Sequence, residues 1–274
     1  MISVPTIGLG VGSAAQRSAG GTPAFAIERS LRFDGSNDYI NTGGVTTDCW
    51  NPYNNTDWTI SFWAKCDTGD TRFQNNGTII CTNYQAGSSN PQLYVQTVNA
   101  TGGSKFKLRI PFLNGSTKSY KIFTSSHVIT NAECQVWQHY AITLTQNSGT
   151  SKQDIEIYVN NTSVDTGSVD QANFTQASFA LAIGSRNPTI AFQTWKGFIA
   201  EIGLWETALS SGDLTAVYGG GSGSDLTTIG TVTGYYRPLT TDGPTTGSIT
   251  DSSGNKDLTM NGFVTDYGVV SDTP

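Results

Sequence analysis

The run WTISFWAKC, residues 58–66, sets Trp58, Ile60, Phe62 and Ala64 at every second position. Two is the side-chain period of an extended strand, so these four apolar groups share one face while Thr59, Ser61 and Trp63 take the other. The same short period recurs in GTIICT, QLYVQTV, KFKLRIPFL, KSYKIFTSS, WQHYAITLTQ, DIEIYVNNTSVDTG, FALAIGSR and GFIAEIGLW. In the DIEIYV segment Ile155, Ile157 and Val159 fall on one face. LRFDGSNDYINTG reads as a hairpin in miniature: Leu31 and Phe33 alternate, Asp34-Gly35 turns, and Tyr39 resumes. A chain with on the order of ten short strands and turn residues between them is all-β, and antiparallel pairing into a sandwich or jelly roll is the architecture it predicts.

One stretch has a different period. LSSGDLTAVYGGG places Ser210 as an N-cap with Asp213 three residues on, a capping box with Asp in place of Glu. Leu214, Val217 and Tyr218 then recur on one helical face, and Gly219 stands where a left-handed residue ends the helix. The GGGSGS that follows lacks the G-K-[ST] of a phosphate loop and reads as a linker.

Composition narrows function. The 31 glycines, 13% charged and 11% aromatic residues suit strands and tight turns. A net charge of −6 with no basic run argues against nucleic acid as a partner, and no apolar stretch reaches the ~20 residues of a membrane span. Cys49, Cys66, Cys81 and Cys134 form no C-x-x-C pair, so free, partly buried thiols are expected. No Lys or Arg precedes Arg17, and Pro5, Gly8, Gly10 and Gly12 break the apolar run, a poor secretory signal. Residues 1–29 read as an arm, either a disordered leader or an extended segment that orders against a partner. His139 lies inside a strand pattern, as a packed histidine would, and His127 stands alone.

Six pieces in order, RFDGSNDYI, WTISFWAK, WQHYAIT, IYVNN, IGSR and WKGFIAEIGLWETALSSGDLTAVYGGG, resemble the laminin G-like, concanavalin A-like jelly-roll family over residues 31–221. That resemblance implies a jelly roll over 30–221, with 222–274 as a β extension packed on it. It also raises a catalytic question, because laminarinase-like glucanases of this fold carry E-I-D-x-E or, with a bulge, E-I-D-x-x-E on one strand. EIGLWE offers Glu201 and Glu206, with Gly203 in place of the central Asp. Retaining hydrolysis needs two carboxyls ~5 Å apart. In a regular strand Glu201 and Glu206 point to opposite faces, and only a bulge would join them. The expectation is therefore no enzyme, with Glu201 and Trp205 as fold positions.

The family's calcium and sugar sites direct attention to two segments. No cofactor is required, but Asp34, Asn37 and Asp38 crowd oxygens into one turn, as calcium needs, and equally as an Asx turn needs. In DCWNPYNNTDW, Trp50, Tyr53, Asn54 and Asn55 offer either an aromatic platform with amides for a sugar or anchors for a loop. Residues 222–274, with YYR and DSSGN, further resemble the tail that follows such domains in structural proteins of tailed phages. That implies a virion protein on the particle surface, a capsid decoration or tail-fibre component. Its partners would be other virion subunits held through the arm, with further copies of itself and cell-surface glycans as additional partners. A secreted or surface carbohydrate-binding module is the alternative, and a degenerate glucanase the third.

Overall fold

The computed structural model describes residues 25–53, 57–82, 92–114, 117–147, 149–150, 152–170 and 178–274. In chain order the elements are β1 (Ser30–Asp34), β2 (Tyr39–Asn41), β3 (Trp58–Lys65), β4 (Thr78–Thr82), β5 (Tyr94–Ala100), β6 (Gly103–Asn114), β7 (Thr117–Thr124) and β8 (Ile129–Thr130). They continue with α1 (Asn131–Cys134), β9 (Gln138–Asn147), β10 (Lys152–Val159), β11 (Thr162–Asp170), β12 (Leu181–Ile183) and β13 (Lys196–Trp205). The last are α2 (Ser211–Tyr218), β14 (Val232–Tyr236), β15 (Ser248–Ile249), β16 (Leu258–Asn261) and β17 (Gly268–Val270).

The strands form two antiparallel sheets. The first runs β11-β10-β9-β3-β13-β1-β17, with β14 also paired to β13. The second runs β15-β16-β2-β12-β4-β5-β6-β7, with β8 also paired to β6. Between them lies the core that the period of two predicts: Trp58, Ile60, Phe62 and Ala64 of β3 meet Ile155, Ile157 and Val159 of β10 and Phe106, Leu108 and Ile110 of β6. All four cysteines are free and buried.

The outer face of the first sheet is not bare. Trp205, Leu209, Leu214, Val217, Leu226, Ile229 and Tyr235 make a second apolar cluster there. α2 lies over it, with the predicted ends: Ser210 accepts from Asp213 N–H in a full capping box, and Gly219 closes the helix at φ +59°. Leu214 and Val217 enter this cluster, while Tyr218 stacks on Trp63 of β3 with ring centroids 5.9 Å apart.

Residues 222–274 do more than cover the sandwich. β14 pairs with β13 and β17 with β1 in the first sheet, while β16 pairs with β2 in the second. The tail is fastened near its end: Asp272 carboxylate oxygens accept from Lys65 Nζ and Trp137 Nε1 (2.9 Å), and its carbonyl accepts from Ser30 Oγ.

Candidate functional site

β6 is a two-faced strand. Phe106, Leu108 and Ile110 face the core, so Lys105, Lys107 and Arg109 between them fall on the outer face of the second sheet. Register then decides their company. Arg109 lies between Tyr94 of β5 and Ile122 of β7, and Lys107 between Gln96 and Thr124, with Tyr120 across from Pro111. A turn after β12 completes the group. Arg186 N–H donates to Phe192 O at 2.9 Å, and Ser185 Oγ accepts from Phe192 N–H at 3.2 Å, which brings Arg186, Phe192 and Gln193 up beside β5.

The cations are held by amides and rings. Gln92 Oε1 accepts from both Arg109 Nη1 and Arg186 Nε, each at 3.3 Å, so one carbonyl oxygen joins two guanidiniums. Gln193 Oε1 accepts from Arg186 Nη1 at 2.8 Å and from Gln96 Nε2 at 2.9 Å. Lys107 Nζ donates to Asn76 Oδ1 at 3.3 Å. The Arg109 guanidinium carbon sits 3.8 Å from the Tyr120 ring centroid, and that of Arg186 sits 4.7 Å from the ring of Tyr94. Every Asp and Glu of the chain lies among the described residues, and the ion pairs there join Arg32–Asp67, Lys65–Asp272, Lys121–Asp170, Lys196–Asp70 and Arg237–Glu201. Lys107 and Arg186 belong to none of them. Burial, reinforced by Arg186, lowers the Lys107 ammonium from its ordinary value, and burial does the same to Arg109. Tyr120 and Phe192 are each 39% exposed and Ile122 44%, so large apolar groups front this cationic patch.

The residues singled out from sequence lie elsewhere. Trp50 is wholly buried: its indole meets Trp58 edge-on at 5.9 Å, and Nε1 donates to Trp205 O at 2.8 Å. Tyr53 is buried too, its hydroxyl bonded to Thr82 Oγ1 and its ring edge-on to Phe179. The expectation of an exposed platform at Trp50 and Tyr53 is corrected: these rings anchor the segment into the inter-sheet core, where burying so large an apolar surface outweighs any use at the surface. Asn54 and Asn55 lie outside the described residues.

Asp34, Asn37 and Asp38 are brought together, and one carboxylate oxygen of each Asp holds the turn's backbone. Asp34 Oδ1 accepts from Ser36 N–H (2.7 Å) and Asn37 N–H (3.2 Å), and Asp38 Oδ2 from Asp34 N–H (2.8 Å), the geometry of an Asx turn. Asn37 donates its amide to Gly262 O. Asp38 Oδ1 alone is buried without a hydrogen bond, and burial pushes that carboxyl up to about 7. Two of the five side-chain oxygens hold backbone N–H groups and Asp38 is buried, so the turn as placed presents fewer oxygens than a calcium shell of about six to eight. The residues as placed therefore do not fit the ion. EDTA is expected to leave the melting temperature unchanged. A fall of several degrees would show that a cation sits on Asp38.

Glu201 and Glu206 serve separate partners. β13 is bulged between Ala200 and Gly203, with Glu201 at φ +49°. Glu201 accepts from Tyr235 hydroxyl and lies 3.4 Å from Arg237 Nε, while burial pushes its carboxyl up to about 7. Glu206 Oε1 accepts from Asn51 N–H at 2.8 Å. Gly203, at the position of the glucanases' central Asp, lies under the Trp205 ring: a Cβ there would stand 2.3 Å from Trp205 Cη2. His139 is packed, its Nε2 2.8 Å from Ser61 Oγ, with burial pressing it down to about 3.

Sequence reading passed over the face of the second sheet. Lys105, Lys107 and Arg109 at alternate positions are a signal a period-2 reading contains. Arg186 closes the IGSR piece, but only the register of β12, β4 and β5 carries it to Tyr94.

Two antiparallel sheets packed as a sandwich, with one short helix on the outer face of the first, define a concanavalin A-like β-sandwich. The chain belongs to the concanavalin A-like lectin/glucanases superfamily, whose profile matches residues 34–215. Among solved structures, a candidate carbohydrate-binding protein from Bacteroides ovatus is similar at TM-score 0.56 and 18% identity, over 90% of this chain and 63% of that one. The chain thus spans less than two thirds of that protein's length. A heptameric SAP-like pentraxin from Limulus polyphemus aligns at TM-score 0.48 and 15% identity, over 70% of this chain and 82% of the pentraxin. The CBM40 of a Ruminococcus gnavus sialidase, bound to α2,3-sialyllactose, aligns at TM-score 0.45 and 12% identity, over 71% of this chain and all of that one. No curated protein sequence matches this one.

Proposed function

We propose that this protein is a non-catalytic carbohydrate-binding domain whose ligand lies on the outer face of the second sheet. The observation that carries this reading is the grouping of exposed Tyr120 and Phe192 with amides and cations across β5, β6 and β7. Sugars are bound by an apolar ring face for their C–H surface and by fixed donors and acceptors for their hydroxyls. The patch supplies both, and the amides are already oriented by one another, which lowers the cost of ordering them on binding. Membership of a family of lectins and glucanases, and likeness to the Bacteroides protein, support the same reading. The state of Glu201 and Glu206 supports a binding role over a hydrolytic one, since each is committed to a structural hydrogen bond.

A glycan array with the intact chain tests this. Tyr120→Ala is expected to weaken the bound glycan about tenfold or more at unchanged melting, because the ring is already part-exposed. Equal binding by both proteins would remove the ligand from this face.

A second reading places the domain on the outside of a tailed phage particle, with neighbouring virion subunits as partners. It rests on the phage-like pattern of residues 222–274 and is compatible with glycan binding, since an adhesin on a particle would use the same face. Immunogold labelling of particles tests it: label on heads or fibres supports the virion location, and label on cells with bare particles removes it.

A further inference from the structure

We propose that the ligand is an anionic glycan, its carboxylate or sulfate held by Lys107 and Arg186 beside Arg109 while its ring packs on Tyr120. This rests on the carbohydrate-binding reading and adds the substrate class.

The argument is one of unbalanced charge. The chain carries −6 overall, yet Lys107 and Arg186 meet on one face, held by Asn76, Gln92, Gln193 and the Tyr94 ring and joined to no carboxylate among the described residues. The other cations with a tight partner use a carboxylate, as Lys65 does with Asp272 and Arg32 with Asp67. Arg109 is buried, and Arg186 and Lys107 are half-buried. Partly desolvated cations beside one another raise each other's cost unless an anion is close. A bound carboxylate or sulfate supplies that charge and accepts from the Arg fork in a geometry the guanidinium matches. Burial also lowers the pKa of the Lys107 ammonium and of the Arg109 guanidinium, and a nearby anion would oppose that shift. A single group is the scale that fits: the row Lys105, Lys107 and Arg109 spans only a few residues of β6, too short for a polyanion such as nucleic acid.

The test is calorimetric titration of the full chain with three probe series: oligogalacturonates for carboxylate, sulfated galactan oligosaccharides for sulfate, and neutral galacto-oligosaccharides. At least one anionic series is expected to bind ten times or more tighter than the neutral one, and to weaken as NaCl rises from about 50 to 500 mM. Lys107→Gln and Arg186→Gln are each expected to cut that affinity about tenfold or more and to flatten its dependence on NaCl. Arg186 also packs on Tyr94, so Lys107→Gln carries the test if Arg186→Gln melts early. The two anionic arms identify which acid group is read. Equal affinity for neutral and anionic sugars, or indifference to Lys107→Gln, overturns the anionic assignment and leaves carbohydrate binding standing. Binding of no sugar in any series overturns both.

Discussion

Trp50→Ala is expected to lower the free energy of unfolding by about 3–5 kcal/mol and to leave glycan affinity of the folded protein unchanged. Trp50 is buried between the sheets against Trp58, so truncation opens a cavity the size of an indole in a core held by two rigid layers. It also deletes the Nε1 donor to Trp205 O, stranding the carbonyl at the last residue of β13. Trp50→Phe separates the two losses: it keeps most of the volume and drops the hydrogen bond, for about 1–3 kcal/mol. Urea unfolding of the three proteins measures both. An unchanged urea midpoint together with lost sugar binding would restore Trp50 as a surface platform.

The second large effect is a change in how stability depends on pH. Burial lifts the Glu201 carboxyl from 4.5 to about 7, so the folded chain holds this proton more tightly than the unfolded one. Stability from that proton is present in full below about pH 4.5 and is lost as pH rises through 7, by about 3 kcal/mol at roughly 1.4 kcal/mol per pH unit of displacement. Asp38, also raised to about 7, acts in the same direction. His139 acts in the other: its folded value of about 3 lies below 6.5, so its contribution is intact above pH 6.5 and is lost as pH falls. Glu201→Gln deletes one alkaline-side loss and leaves Asp38 and His139 alone. Compared with the parent, the variant is expected to gain about 3 kcal/mol between pH 4.5 and pH 8, read by urea unfolding at the two pH values. A parent–variant difference that does not move with pH would mean Glu201 ionises as an exposed carboxyl does.

Where the sequence was long and periodic, it was legible. β3, β9, β10 and β13 span eight to ten residues each, enough for the alternation of apolar and polar positions to declare a face, and α2 carries its own start and stop signals. β2, β8, β15 and β17 have two or three residues, too few to show a period, and they exist because a neighbouring strand offers them a ladder. The bulge at Glu201 is likewise a tertiary matter: burial of Trp205 and Tyr235 on the outer cluster outweighs a left-handed glutamate. For the site, composition pointed to aromatic residues in a loop, yet Trp50 and Tyr53 are core rings. Hydrophobicity in a loop does not say whether the chain turns it inward. The cationic face joins the consecutive strands β5, β6 and β7 to the distant turn after β12, and only register assembles it.

One arrangement at the other side of the sandwich bears on how the domain is presented. Ser30 pairs with Val270 and bonds Asp272, while Ile27 packs on Trp63 and Arg237 holds Ala26 O, so residues 26–30 and 270–272 share the first-sheet side. A support attached through either stretch therefore approaches from behind, and the face of β5, β6 and β7 looks outward like the palm of a raised hand. Many copies anchored this way would each offer that face at once, so weak single contacts would multiply into a durable hold.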